Sequence, residues 1–241
     1  MSLKTNNLWD SLADVFTPQS QSHIAPSNSP CAPSNSPCLE NYLCLFPLLQ
    51  KTYNKFIIQQ NNPKIFDFGC GSGYITERLS KLKGKVYACD PSKEMIRSAT
   101  MLNINTKVRY FLGSIECLRD NAPYNFITSI MVFQFIKNLD EIIPILSESL
   151  IPGGILFFAI HNFDYVKEGI NKGIKFTQCH DSKYYIKIHN ISIPIEIHDS
   201  DYYRRILNNN HLSLLQEKTI HGINNIFEHD KYYVGIYQKS N

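Results

Sequence analysis

The sequence lacks the marks of membrane-spanning and secreted proteins. No stretch of 18 residues is apolar throughout, which argues against a membrane span. The opening residues Met1-Ser2-Leu3-Lys4-Thr5 contain no apolar signal core, which argues against secretion. The net charge is only +3, so neither a nucleic acid nor a membrane surface is expected as a partner.

Paired metal-ligand motifs are missing as well. The seven cysteines and eight histidines form no Cys-x-x-Cys and no His-Glu-x-x-His pattern, so no metal site is predicted. An odd number of cysteines in a chain of 241 residues favours reduced thiols over a disulfide scaffold. We therefore expect a cytoplasmic protein, and its 43% hydrophobic and 19% charged residues are ordinary globular values.

The N-terminal region is predicted to form two helices separated by a loop. Apolar periodicity indicates a short helix at 7–16 and a second at 39–60, with a bend or break near Pro47. Between them, at about 18–38, the segment Ala-Pro-Ser-Asn-Ser-Pro-Cys occurs twice in tandem. Its proline and serine content favours an extended surface loop, which is either a tolerated duplication or a lid tip or partner motif.

From residue 61 onward, strands and helices alternate. Near-continuous apolar strands separated by helical segments predict parallel βαβ units covered on both faces. The predicted strands are 64–68, 85–89, 107–112, 125–130 and 155–160, and the predicted helices are 74–82, 92–103 and 139–150. Farther on, the predicted elements are a hairpin with period-two alternation at 183–197, a helix at 201–210, and closing strands at 212–220 and 232–238.

The most informative segment is Asp67-Phe68-Gly69-Cys70-Gly71-Ser72-Gly73, which follows a predicted strand and precedes a helix. Glycines at such a junction allow a tight turn and close approach of a ligand to the backbone, next to the free N–H groups of the helix. Tyr74 occupies the position where a dinucleotide-binding loop requires its last glycine. The Asp67 carboxylate would repel a pyrophosphate but could accept a hydrogen bond from an ammonium group.

A second acid, Asp90, ends the next strand, 21 residues after Gly69. In nucleoside-binding α/β folds an acid at this place accepts hydrogen bonds from the ribose hydroxyls. Asp90 could instead, or in addition, cap the helix that follows Pro91. A ligand with a ribose and an amine but no phosphate suggests S-adenosylmethionine.

Three segments resemble, in order and spacing, the motifs of the class I S-adenosylmethionine-dependent methyltransferases, within about residues 60–162. They are Asp67–Gly73, Cys89–Met95 and Leu150–Leu156. The resemblance implies a Rossmann-like three-layer α/β sandwich whose seven-stranded, mostly parallel sheet has an antiparallel last strand. It also implies an N-terminal helical lid at 1–60 and a cofactor-binding domain at 61–241, with a β-hairpin insertion at about 163–200 that covers the substrate.

The resemblance assigns the cofactor, S-adenosylmethionine, to residues of these segments. Asp67 and the glycine loop would hold its methionine end. Asp90 would bind both ribose hydroxyls, and Met95 would lie near the adenine. Gly113-Ser114-Ile115-Glu116 resembles a third motif, although Ser114 replaces the acid expected to accept from the adenine amino group. The implied cofactor residues are Asp67, Gly69, Cys70, Gly71, Gly73, Asp90, Pro91, Met95, Ser114, Ile115 and Ile130.

The candidate catalytic residues follow from the reaction and the topology. Methyl transfer from a sulfonium is an in-line displacement that requires an aligned acceptor and the exclusion of water. Ligands in this fold lie beyond the carboxyl ends of the parallel strands, where Gln134 follows the fourth strand and His161 ends the fifth. His161 is a candidate general base or a histidine that orients the substrate, and Gln134 could orient the substrate or cap its loop.

Aromatic residues are the candidates for contacting the substrate, with structural packing as the alternative for each. They are Trp9 and Tyr53 in the lid, Phe133 after the fourth strand, and Tyr184 and Tyr202 in or beside the insertion.

The acceptor is expected to be a small molecule methylated on oxygen or nitrogen. Ser129-Ile130-Met131-Val132 contains neither Asn-Pro-Pro-Tyr nor an acid nor Pro-Cys, which mark amide- or adenine-modifying, catechol-modifying and cytosine-modifying relatives. The alternatives are a carrier-bound acyl group, RNA or protein as acceptor, or a chain with this fold that binds without methylating. A monomer or homodimer is expected.

Overall fold

The computed structural model describes residues 3–16, 37–104, 107–188, 191–223 and 225–240. The chain divides into two units, Met1–Cys117 and Leu118–Asn241, which are described in turn. The predicted loop and its tandem repeat lie outside the described residues, apart from Pro37 and Cys38 at the start of a helix. No helix in the described ranges is long and apolar enough to cross a membrane.

The first unit alternates helices with three parallel strands. Its elements are α1 (Leu3–Phe16), α2 (Pro37–Phe56), β1 (Lys64–Phe68), α3 (Tyr74–Leu79), β2 (Lys85–Asp90), α4 (Lys93–Leu102) and β3 (Arg109–Leu112). β2 pairs in parallel with β1 and with β3, and Asp67 lies opposite Ala88. β1 and β2 are buried almost throughout, as parallel strands covered on both faces must be. Their carboxyl ends, which carry Asp67 and Asp90, therefore lie side by side.

Of the bend or break predicted near Pro47, the break does not occur. α2 continues as a helix through Pro47 to Phe56 and does not break there. Its inward face, which includes Leu45, Leu49 and Tyr53, is fully buried. Packing of that face compensates for the single backbone hydrogen bond that proline removes, which is why the helix persists.

The second unit is built around one long buried strand. Its elements are β4 (Tyr124–Ile130), α5 (Leu139–Glu148), β5 (Leu150–His161), α6 (Phe163–Asn171), β6 (Phe176–His180), β7 (Lys183–Ile188), β8 (Ile191–Glu196), α7 (Ser200–Asn208), β9 (Leu212–Ile220) and β10 (Tyr232–Lys239). β4 and β5 are parallel, whereas β10 runs antiparallel to both β5 and β9. β5 is buried at every residue from Gly154 to His161, so the core of this unit lies around it.

Seven strands belong to one sheet in the order β3-β2-β1-β4-β5-β10-β9. The strand that comes last in the sequence, β10, is the antiparallel one. The predicted Rossmann-like fold, with a seven-stranded and mostly parallel sheet, flanking helices and an antiparallel last strand, is confirmed.

The insertion after β5 is larger than the predicted hairpin. β6, β7 and β8 form a separate three-stranded antiparallel sheet, and α6 precedes it. The sequence predicted only the β7–β8 hairpin, where buried and exposed residues alternate. In β6 only Phe176 is buried, so this strand carries no alternation that a sequence pattern could reveal.

Candidate functional site

A loop with three glycines joins β1 to α3. Gly69, Gly71 and Gly73 have φ values of 74°, 54° and 80°, a backbone region that favours glycine. The N–H groups of Gly69 and Cys70 both donate to the Cys89 carbonyl at 2.9 Å, which anchors the loop to β2. A Cβ added at Gly71 would meet no atom of the described residues within 4 Å. The backbone at Gly71 therefore borders open space that a ligand can fill.

Asp90 closes one side of this loop. Its Oδ2 accepts from the Gly71 N–H and its Oδ1 from the Ser92 N–H, both at 2.9 Å. Ser92 is the residue that caps α4, because its hydroxyl accepts from the Met95 N–H at 3.2 Å. A carboxylate has about four acceptor positions, so Asp90 has the capacity to accept further hydrogen bonds from a ribose diol.

The electrostatic surroundings of Asp90 favour added hydrogen-bond donors. The side chain is 9% exposed, and burial raises its pKa to about 6. The hydrogen bonds from Ser92 and Gly71 lower the pKa, whereas the charges of Asp67 and Asp10 raise it. Within the described ranges, no lysine or arginine forms an ion pair with Asp90. A buried carboxylate without a cation gains most from hydroxyl donors supplied by a ligand.

Asp67 is the second buried acid beside the loop. Its Oδ2 accepts from the Thr76 hydroxyl at 2.6 Å, which fixes the orientation of the carboxylate. Burial raises the pKa of the Cys70 thiol well above its usual value, and the charges of Asp90 and Asp67 raise it further. The Cys70 thiol therefore stays protonated and is not a nucleophile.

The third motif forms a tight turn after β3. The Gly113 N–H donates to the Asp90 carbonyl at 3.1 Å, and the Ser114 N–H donates to Glu116 Oε1 at 2.7 Å. A Cβ at Gly113 would lie 2.5 Å from Cys117 Sγ, so this turn accommodates only glycine without rearrangement. These contacts place Ser114 beside the carboxyl end of β2.

Helix α1 is attached to the site at two points. Asp10 Oδ1 accepts from the Ser92 hydroxyl at 2.6 Å and from the Glu94 N–H at 3.2 Å. At the other end of the helix, the Phe16 carbonyl accepts from the Ser72 hydroxyl. α1 is thus bonded both to the N-terminus of α4 and to the glycine loop.

The two aromatic residues predicted in the lid are placed differently. Trp9 is partly buried on α1, next to Asp10 in sequence, and its ring lies 6.1 Å from that of Phe16. Tyr53 is fully buried in α2, and its hydroxyl donates to the Lys83 carbonyl in the turn before β2. That turn lies at the amino end of β2, so the contacts of Tyr53 are those of a packing residue.

In the second unit, His161 ends β5 inside a cluster of aromatic rings. Its ring stacks on Tyr165 and Tyr232, with centroids 5.9 and 6.4 Å away. Phe176 meets it edge-on at 5.6 Å. Gln134 is buried, and its Oε1 accepts from the His161 N–H at 2.9 Å. The structure therefore brings the two candidate catalytic residues together through the backbone of His161.

The His161 imidazole is neutral near pH 7. Burial lowers its pKa well below the usual 6.5, the positive charges of Lys175 and Lys231 lower it further, and a hydrogen bond with the Lys231 backbone opposes the shift. Its Nδ1 is buried and has no hydrogen-bond partner among the residues that the structure describes. A neutral imidazole can accept a proton, but a low pKa makes it a weak base.

The end of β4 carries two further candidates. Ile130 is the last residue of the strand, and Met131 follows with a φ of 59°, unusual for a residue other than glycine. The Met131 N–H donates to the Ala159 carbonyl at 2.7 Å, which ties this turn to β5. Phe133 is fully buried and stacks on Phe158 at 5.0 Å, so its contacts are with the core of the unit.

Tyr184 and Tyr202 line one cleft of about 410 Å³ in the second unit. The Tyr202 ring stacks on His198 with centroids 3.8 Å apart, which forms a flat aromatic platform. Lys167 and Arg205 also line the cleft, and within the described ranges neither forms an ion pair.

Two of the acids that line the same cleft have partners inside the protein. Asp199 caps α7 by accepting from the Tyr202 N–H at 2.9 Å. Asp201 forms an ion pair with Arg204 on the same helix. Asp181 also lines the cleft, in the turn before β7. Lys167 and Arg205 are therefore two cations of this cleft that form no ion pair with a described carboxylate, and either could bind a ligand that carries an acid group.

Known proteins match both the sequence and the fold. Residues 66–158 match the family described as methyltransferase domain. Malonyl-[acyl-carrier protein] O-methyltransferase of Bacillus cereus is 35% identical over 107 residues, 44% of this chain and 40% of that protein. Ubiquinone biosynthesis O-methyltransferase of Hydrogenovibrio crunogenus is 31% identical over 108 residues, 43% of this chain and 45% of that protein. Magnesium protoporphyrin IX methyltransferase of Synechocystis PCC 6803, solved with bound SAH, has a TM-score of 0.66 over 98% of both chains at 11% identity.

The chain has the fold of the class I S-adenosylmethionine-dependent methyltransferases. The predicted family resemblance is therefore confirmed. The matches span less than half the length of the two curated relatives. They therefore identify a methyltransferase domain but do not identify the molecule that accepts the methyl group.

Several residues of the candidate site could not be found from the sequence. Thr76 and Asp10 act through side-chain hydrogen bonds to partners that the fold brings close, and Asp10 is 82 residues from Ser92. Ser92 did carry a signal, because a serine directly before a helix is a common cap. Within the described ranges no three histidine, cysteine or acidic side chains are placed to hold a metal ion, and Cys70 and Cys89 are free thiols.

Proposed function

We propose that this protein transfers a methyl group from S-adenosylmethionine to an oxygen or nitrogen atom of a small-molecule acceptor by in-line displacement. The observation that carries the proposal is Asp90, a buried carboxylate that forms no ion pair with any described lysine or arginine and is bonded at 2.9 Å to a glycine whose backbone borders open space. When bound, S-adenosylmethionine supplies a methyl group activated by the positive charge of its sulfonium.

The residues of the first unit fit this cofactor. Asp90 would accept from the ribose hydroxyls, and Asp67, oriented by Thr76, would accept from the amino group. Gly69, Gly71 and Gly73 shape the loop so that backbone rather than side chain faces the ligand. The residues proposed near the adenine or along the loop are Cys70, Pro91, Met95, Ser114 and Ile115.

Oxygen is the favoured acceptor atom. Relatives of 35% and 31% identity are both named O-methyltransferases. We assign acceptor binding to the cleft of the second unit, where Tyr202 offers a flat ring and Lys167 and Arg205 offer positive charge. The cleft therefore supports an acceptor that combines a flat or acyl group with an acid group.

A carrier-bound acyl group is the second candidate acceptor. It is favoured by the relative of 35% identity, which is named for a malonyl group on acyl-carrier protein. Lys167 and Arg205 would serve this acceptor equally well, since an acid group is common to both.

The test of the proposed function has two steps. Calorimetric titration with S-adenosylmethionine and SAH is expected to show one site per chain. Methyl transfer from labelled S-adenosylmethionine is then measured against small acids, phenols and amines, with a malonyl-loaded carrier protein, RNA and a protein mixture as separate arms. Transfer to the small molecules supports the proposal. Transfer to the carrier alone establishes the second candidate, and no binding of either nucleoside means a chain that does not methylate.

We expect His161 to orient the substrate rather than to act as a general base. Its phenylalanine variant keeps the stack on Tyr165 and Tyr232, so turnover of the acceptor found in the screen should stay within about tenfold of wild type. A general base typically contributes about 10²–10⁴-fold. Turnover at saturating substrate between pH 6.5 and 8.5 is the measurement, with the exposed His180→Ala variant as control. A loss above a hundredfold would restore the base role.

A further inference from the structure

Helix α1 meets the cofactor site through a short chain of hydrogen bonds. Asp10 Oδ1 accepts from the Ser92 hydroxyl at 2.6 Å, and the Ser92 N–H donates to Asp90 Oδ1 at 2.9 Å. The other carboxylate oxygen of Asp90 is held by the Gly71 N–H. One serine therefore separates a helix of the N-terminal region from the acid assigned to the ribose.

Asp10 also completes the N-terminus of α4. Its Oδ1 accepts from the Glu94 N–H at 3.2 Å, one of the helix N–H groups that has no acceptor inside the helix. Ser92 directs its own oxygen to the Met95 N–H. Loss of the Asp10 carboxylate would leave both the Ser92 hydroxyl and the Glu94 N–H without this acceptor. It would thus remove one of the contacts that fix Ser92, whose N–H donates to Asp90.

A second attachment fixes α1 at its other end. The Phe16 carbonyl accepts from the Ser72 hydroxyl, six residues or about 9 Å along the helix from Asp10. Leu12 and Ala13, between these two points, are buried. α1 thus bridges the two segments, the glycine loop and the start of α4, that hold Asp90 from its two sides.

We propose that Asp10 is a positioning residue that couples the docking of α1 to the binding of the nucleoside by Asp90. This inference rests on the proposed function, because it assumes that Asp90 binds the ribose. Linkage requires the coupling to act in both directions. Docked α1 holds Asp90 ready for the ribose, and a bound nucleoside holds α1 in place.

The test measures SAH affinity of full-length variants by calorimetry. Asp10→Ala removes the acceptor and should weaken binding about tenfold, the effect of losing one helix cap of ordinary strength. Asp10→Asn retains an acceptor oxygen, and its SAH affinity should stay within about twofold of that of the wild type, because asparagine and aspartate cap helices about equally well. Ser11→Ala, on the exposed face of the same helix, is the control. Ser92→Ala should weaken binding at least as much as Asp10→Ala, because it also removes the acceptor of the Met95 N–H. The loss in the double variant should be smaller than the sum of the two single losses, because both variants break the Asp10–Ser92 bond.

Two readouts distinguish positioning from general destabilisation. SAH should slow amide exchange in residues 3–16 of the wild type and of Asp10→Asn, but not of Asp10→Ala. The charged or titratable groups that act on Asp90 are Asp10, Asp67 and the Cys70 thiol. Because the negative charge of Asp10 raises the pKa of Asp90, the neutral side chain of Asp10→Asn should lower that pKa. The acid limit of SAH binding should therefore move to lower pH in that variant.

The outcomes separate this inference from the proposed function. If the wild type binds neither S-adenosylmethionine nor SAH, the proposed function fails. If the wild type binds but Asp10→Ala binds equally well, or Asp10→Asn loses as much as Asp10→Ala, only the role of Asp10 is overturned.

Discussion

Replacing Asp90 with alanine is expected to weaken the binding of SAH by at least about 100-fold. The ribose diol would donate two hydrogen bonds to this carboxylate, and bonds to charged groups contribute about 1.5–3 kcal/mol each. Asp67, the other buried acid beside the loop, is oriented by Thr76 and is assigned to the amino group, so it does not replace Asp90. Calorimetric titration at pH 7.5 is the measurement, with the exposed Asp120→Ala variant as a control that should bind like the wild type.

Asp90→Asn keeps this prediction testable if the alanine variant is unstable. Alanine leaves the N–H groups of Gly71 and Ser92 without their acceptor, whereas asparagine retains one acceptor oxygen. The asparagine variant should fold and still bind at least about tenfold more weakly, since a charge-assisted bond becomes a neutral one. Unchanged affinity in a folded Asp90→Asn protein would show that the ribose is held elsewhere.

The pH dependence of binding provides a second check on Asp90. Its pKa is about 6 in the folded protein without ligand. Below that pH the carboxyl group is protonated and accepts hydrogen bonds poorly, so affinity for SAH should fall as the pH is lowered from 7.5 to 5. The stability of the ligand-free protein should change in the opposite direction, because folding raises the pKa of Asp90 above its usual 3.8.

The sign of the stability effect follows from that shift. The contribution of Asp90 is fully present below about pH 3.8 and is lost as the pH rises through about 6. A shift of this size corresponds to about 3 kcal/mol. Other carboxylates titrate in the same range, so the quantity to measure is the difference between the wild type and Asp90→Asn at each pH.

The cofactor half of the site could be predicted because its signals are local. The three glycines of the loop are visible in the sequence, and the structure gives each of them a positive φ. Asp90 follows from its place at the end of a strand. The hydrogen bonds that orient these groups could not be predicted. Asp10 reaches Ser92 across 82 residues of chain, and no periodicity or motif links the two.

The insertion shows a different limit of sequence reasoning. β7 and β8 were predicted because their buried residues alternate, whereas β6 has one buried residue and α6 is a single short helix. Their positions depend on packing against neighbouring elements rather than on their own patterns. The cleft that contains Tyr184 and Tyr202 was for this reason visible only in the structure, although both tyrosines were candidates from the sequence.

Gly73→Ala is expected mainly to lose stability, whereas Gly71→Ala is expected mainly to lose SAH binding. At Gly73 the new Cβ would lie 2.8 Å from Ala99 Cβ and 2.9 Å from Asn103 Nδ2, at a φ of 80°. Left-handed strain of about 1–2 kcal/mol and overpacking of about 1–3 kcal/mol should lower the free energy of unfolding by about 2–5 kcal/mol. At Gly71 the Cβ would enter open space, so only the strain remains, but that space is where the ligand is proposed to lie.

Gly173 supplies a matched control for this pair. It has a φ of 66° and open space around its Cβ position, but it lies in the turn after α6. Gly173→Ala should therefore lose about as much stability as Gly71→Ala, roughly 1–2 kcal/mol, and bind SAH like the wild type. Gly71→Ala should remain folded and lose at least about tenfold in affinity, since a methyl group in a tight site costs about 1–3 kcal/mol. Chemical denaturation and calorimetry measure the two effects separately. Wild-type affinity in Gly71→Ala would place the nucleoside away from this loop, because no ligand packed against the Gly71 backbone could tolerate the added methyl group.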